Sequence, residues 1–223
     1  MRIRIGSIFL LAAVFALASS VAGFAQAPCN FPGIVYCQAW DGSGNSYASQ
    51  NDTNGSGNFA TVYDNFTLTS TYGIQSFHWV GEYFNPADQG PITAWTLTFY
   101  TDNGGIPGGA IAAGTFSGTA NETYLGNGTG FPTYEYSLYF GSFSMGPGTY
   151  WASVVPDLGF PPQWGWNSSA QGDGLAYQCF LGACGTIGGV NTAFSLDTPE
   201  PGTMVMLGTG ILGLAGTLRR KLL

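Results

Sequence analysis

From Gln26 to Pro201 no window of the chain keeps an apolar period of 3.6 residues without a glycine breaking it, whereas apolar alternation with a period of two recurs. A glycine inside a helix costs about 1 kcal/mol relative to alanine. Leu, Glu and Lys are also scarce there, so long helices are disfavoured and strands expected. Trp95, Leu97 and Phe99 alternate with Thr96, Thr98 and Tyr100; Tyr134, Tyr136, Leu138 and Phe140 alternate with Glu135, Ser137 and Tyr139. Each run reads as a strand with one face in a core. Ala60 to Leu68, Ile74 to Val80, Ala110 to Phe116, Thr149 to Val155 and Val190 to Leu196 read the same way. Segments such as Asp102-Asn103-Gly104-Gly105-Ile106-Pro107-Gly108-Gly109 supply the positive-φ residues and Asx turns between them.

Short strands with turn-rich connections predict an all-β fold, a single β-sandwich of jelly-roll type over residues 26–197. An aromatic content of 15% argues against disorder, and the stretch is long enough for one sizeable core. The segment from Asp41 to Asn58 is expected to be the longest loop, and that from Gly159 to Asp173 a binding loop.

Charge divides the chain differently. All five cations lie at the ends, Arg2 and Arg4 before one apolar run and Arg219, Arg220 and Lys221 after another, while all twelve carboxylates lie between Asp41 and Glu200. The cation-free body therefore carries a formal charge of −12. Met1 to Arg4, the apolar Ile5 to Val21 and the small residues of Ala22 to Ala27 read as a secretory signal peptide over residues 1–25, cleaved after Ala25. At the other end, Pro199 and Pro201 stop any strand, so the domain should end near Asp197. The uncharged run from Gly202 to Leu218 has 17 residues. As a helix it reaches about 25 Å, a marginal membrane span, with the basic triplet holding its end on the cytoplasmic side.

Pro199-Glu200-Pro201, a glycine-bearing hydrophobic run and the Arg219-Arg220-Lys221 cluster, over residues 198–223, resemble the C-terminal sorting signal of PEP-CTERM proteins of Gram-negative bacteria. The resemblance implies recognition by an exosortase, a membrane-anchored precursor, removal of the tail, and a surface or matrix role linked to exopolysaccharide or biofilm. Gly202 departs mildly from the family pattern, in which Ser is common. The middle is also similar, more loosely, to β-sandwich domains found upstream of such signals, through Asp64 to Leu68, Phe99 to Gly108 and Gly148 to Trp151. That likeness implies a fold and carries over no catalytic residue.

In an exported chain the four cysteines are expected as two disulfides. Three pairings exist; clustering favours Cys29 with Cys37 and Cys179 with Cys184, and cross-pairing between first and last strands remains open. Zinc is disfavoured, since the spacings match no Cys-x-x-Cys framework.

The one histidine, His78, reads as a strand-face residue, and no Gly-x-Ser-x-Gly elbow accompanies it. Without Lys or Arg the body offers neither a phosphate clamp nor a nucleic-acid surface. Paired carboxylates among Glu82, Glu122, Glu135, Asp64 and Asp157 would be needed for a secreted polysaccharide hydrolase, the alternative to a non-enzymatic surface protein. Calcium is the one cofactor considered, with Asp102-Asn103-Gly104 a possible donor turn or an ordinary one. Trp164 and Trp166, beside Pro161 and Pro162, are the candidate carbohydrate contacts, with Gln163 or Asn167 bonding sugar hydroxyls; same-parity indoles that plug the sandwich are the competing reading. Sequons at Asn51, Asn65, Asn121, Asn127 and Asn167 reflect Asn and Thr enrichment.

Overall fold

A computed structural model describes residues 27–43, 45–127 and 130–199, and no helix occurs among them. The strands are β1 (Ile34–Gln38), β2 (Ser46–Ala48), β3 (Gln50–Asp52), β4 (Gly57–Leu68), β5 (Tyr72–Phe84), β6 (Ala94–Asp102), β7 (Pro107–Gly118), β8 (Asn121–Asn127), β9 (Pro132–Met145), β10 (Gly148–Asp157), β11 (Gln163–Ser169), β12 (Leu175–Phe180), β13 (Ala183–Gly188), β14 (Asn191–Thr192) and β15 (Phe194–Asp197). They form a two-sheet sandwich. One sheet has seven strands, ordered β13-β12-β4-β3-β10-β6-β7. The other has eight and is built on β5, which pairs with β9 along one edge and with β15 and then β11 along the other.

The alternation read from the sequence sets which face is inside. Trp95, Leu97 and Phe99 of β6, Val62 and Phe66 of β4, Phe77 and Trp79 of β5, and Tyr136 and Leu138 of β9 all enter one core cluster. Its rings interlock edge-on: Trp95 meets Trp79 at 4.8 Å and Trp164 at 4.9 Å between centroids, the T-shaped arrangement that ring quadrupoles favour.

Strand β5 is buried on its outer face as well. The segment preceding β1 lies across it, Phe31 stacking on His78 at 3.6 Å and Ala27 joining Trp40, Val80 and Ala193 in a second small cluster. The Cys29–Cys37 disulfide ties this segment to β1, and a Cys179–Cys184 disulfide closes the β12–β13 hairpin, the pairing that clustering favours.

Two loop expectations are corrected. Asp41 to Asn58 contains β2 and β3, and Gly159 to Asp173 contains β11, all seven of whose residues are buried. Buried Gln50 fixes the entry to β11. Its amide nitrogen donates to the carbonyls of Leu158 and Pro162 at 2.9 and 3.3 Å, and its oxygen accepts from the Trp164 N–H at 2.8 Å.

Candidate functional site

The C-terminal exit is built from the last strand outward. Strand β15 ends at Asp197, whose carboxylate accepts from the Ser76 hydroxyl and, at 3.2 Å, from Nε2 of His78. Burial raises the Asp197 pKa, but the bonds from His78 and Ser76 outweigh it and the net shift is downward. Thr198 is pinned next: its N–H and its hydroxyl both donate to Gly33 O, at 3.0 and 3.2 Å, and its carbonyl accepts from Gln75 Nε2 at 3.2 Å. Gly33 has φ +75°, and a Cβ there would stand 2.6 Å from the Thr198 carbonyl oxygen. Only glycine permits this approach. Pro199 is the first residue beyond the pinned point.

Ser76, His78 and Asp197 include the residue types of a hydrolytic triad but not its wiring. The serine proton goes to Asp197, and both serine and aspartate contact the same imidazole nitrogen, Nε2, while buried Nδ1 has no partner. A relay needs the carboxylate on one ring nitrogen and the hydroxyl on the other. His78 sits on the outward face of β5, beneath Phe31, and its cluster fastens the last strand.

The carboxylates are dispersed. Glu82 accepts from Ser46 Oγ at 2.7 Å and Asn167 Nδ2 at 3.0 Å; burial raises its pKa against those bonds. Asp64, fully buried, is held by Asn65 N and by both the N–H and the hydroxyl of Thr192, yet desolvation pushes it up to about 8. Glu135 is 9% exposed, its Oε1 has no partner, and desolvation pushes it up to about 7. Glu122 accepts from the Tyr83 and Tyr136 hydroxyls at 2.9 and 2.8 Å and from Gln89 at 2.7 Å. Glu82, Glu122 and Asp157 open into three different clefts, one carboxylate in each. At Asp102 the carboxylate accepts from Gly104 N, Gly105 N and the Trp151 indole, at 3.1, 3.2 and 2.8 Å, so this turn is held together by its own donors. Among the described residues no group of three or more His, Cys, Asp or Glu is placed to share a metal ion.

The carbohydrate-contact reading of Trp164 and Trp166 is overturned. Both are 0% exposed. Their shared parity on β11 turns both indoles inward, Trp164 against Trp95 and Tyr136, Trp166 against Phe77 and Phe194. Each indole N–H finds an internal acceptor, Tyr136 Oη at 3.3 Å and Ala193 O at 2.9 Å. Gln163 and Asn167 are buried too, and Asn167 is committed to Glu82. Burying two indoles outweighs any gain from presenting them to solvent.

What the sequence did not flag is a groove of about 260 Å³ on the outer face of the seven-stranded sheet, walled by Tyr63 and Tyr100, floored by Thr98 and Ser153, with Asn51 and Asp157 at one end. Its residues come from β3, β4, β6 and β10, and strand register alone brings them together.

Residues 197–221 match the model of the PEP-CTERM protein-sorting motif. No curated protein matches the chain. The match begins on Asp197, the last residue of β15, so the sorting motif starts inside the folded domain. Glu200, Pro201, the apolar run to Leu218, Arg219, Arg220, Lys221 and the signal peptide of residues 1–25 lie outside the described residues.

Proposed function

We propose that this chain is an exported protein of a Gram-negative bacterium, held as a precursor in the inner membrane by its C-terminal segment, handled there by an exosortase, and delivered to the cell surface or matrix. The sandwich then serves a non-enzymatic, adhesive or structural role among exopolysaccharide. The observation that carries the reading is the sorting motif over residues 197–221. Two features of the body support it. Four cysteines form two disulfides, which suits an oxidising compartment. A cation-free domain of charge −12 leaves the terminal Lys and Arg as the only positive marks for membrane orientation.

With Thr198 pinned to Gly33, only Pro199, Glu200 and Pro201 separate the sandwich from the apolar run. Three residues reach at most about 10 Å. The precursor's sandwich therefore stands close against the bilayer, and the processing enzyme meets the motif beside the Gly33–Thr198 corner.

Replacing Pro199-Glu200-Pro201 by three alanines tests the reading. The expected result is full-length chain accumulating in the inner-membrane fraction, while the wild type is trimmed and leaves it. Identical fractionation and length for both would overturn exosortase handling.

A further inference from the structure

Across the outer face of the seven-stranded sheet, one residue from each of six adjacent strands falls into a single cross-strand row: Thr186, Tyr177, Tyr63, Ser153, Thr98 and Thr115. Each pairs directly with the next, so all six side chains project from the same face, and every one carries a hydroxyl. At about 4.8 Å per strand the row is about 24 Å long. Small Ser153 at its centre forms the floor of the groove, and Tyr63 and Tyr100 stand over it with rings 5.2 Å apart. The Tyr100 hydroxyl lies 3.1 Å from Ser153 Oγ. Burial pushes the Tyr63 phenol up to about 12, so its hydroxyl keeps its proton.

We propose that the groove at the centre of this row binds a neutral, linear polysaccharide, a site that deepens and rests on the matrix reading above. Hydroxyls that both donate and accept match a polymer of hydroxyls, and the half-buried rings of Tyr63 and Tyr100, packed edge-on at 69°, add apolar surface beside them. Charge selects the occupant. No Lys or Arg exists between Gln26 and Pro201 to pair a uronate, sulfate or phosphate, and the body's −12 repels polyanions. At the groove's polar end Asn51 donates to Asp157 at 2.8 Å.

The test is affinity electrophoresis of the exported protein in gels cast with the producing organism's own exopolysaccharide, split by anion exchange into neutral and anionic pools. Retardation in the neutral pool is expected. The triple variant Tyr63→Phe, Thr98→Val, Tyr100→Phe keeps the shape and removes three hydroxyls from the groove lining, and should weaken it about tenfold or more. Thr96→Trp, which fills the groove, should abolish it, and Tyr139→Ala on the other sheet should leave it unchanged. Circular dichroism checks that each variant folds. Retardation by the anionic pool only, by neither pool, or undiminished in both groove variants would overturn the site. A trimmed, surface-located protein that ignores the neutral pool sinks the groove and spares the sorting reading. An untrimmed cytosolic protein that still binds does the reverse.

Discussion

Glu135 occupies the outer face of β9 opposite Val80, where the segment preceding β1 covers the sheet, and its Oε1 meets no donor. Its pKa is pushed up to about 7 from 4.5 by desolvation. Between those values the folded state holds a proton that the unfolded chain has released, so the stability this proton supplies is complete below about pH 4.5 and is lost as the pH rises through 7. Asp64, pushed up to about 8, acts in the same direction. The thermal midpoint of the domain should therefore fall between pH 5 and pH 8, and scanning calorimetry across that range checks it. Glu135→Gln should raise the midpoint at pH 8 by a gain of about 1–2 kcal/mol, allowing for solvent screening, and change little at pH 4.5. Trp164 belongs to this scale too: it fits because Gly81 has no Cβ, which would stand 2.0 Å from the indole Cζ2. Gly81→Ala should cost about 3 kcal/mol by overpacking, and Trp164→Ala about 3–5 kcal/mol by leaving a cavity, both read by urea denaturation.

Strand β11 shows what the sequence could and could not disclose. The runs Trp95 to Tyr100 and Tyr134 to Phe140 alternate because one face meets the core and the other is polar, and β6 and β9 contain them. In strand β11 Trp164 and Trp166 alternate with Gln163, Gly165 and Asn167, but the neighbouring prolines made them look like loop residues, and nothing in the run shows that the polar side is buried as well. The hairpin of β12 and β13 escaped for the opposite reason: β13 is largely exposed, and a disulfide closes the loop between the two strands. The hydroxyl row was illegible because its six members are scattered from Tyr63 to Thr186, and only register aligns them. In contrast, the stop near Asp197 was plain from Pro199 and Pro201, and β15 ends there. The exit of β15 makes its own prediction. Gly33→Ala would push the Thr198 carbonyl away and loosen the pinned corner, so tail removal in pulse-chase should slow while the thermal midpoint drops by only a few degrees.

At the scale of the whole molecule, a sandwich with no cation in its body runs at Asp197, the end of its last strand, into a segment matching a sorting motif, and its disulfides suit life outside the cytosol. On the proposed reading the exit corner faces the membrane in the precursor, and the hydroxyl-lined sheet is left for partners. Mass spectrometry of the terminal peptides, in strains with and without the sorting protease, measures directly where the chain is handled. Molecules beginning at Gln26, both disulfides formed, and Arg219-Arg220-Lys221 present only when the protease is missing are expected. An intact basic end in both strains, with Met1 retained and the four cysteines reduced, would contradict export and sorting.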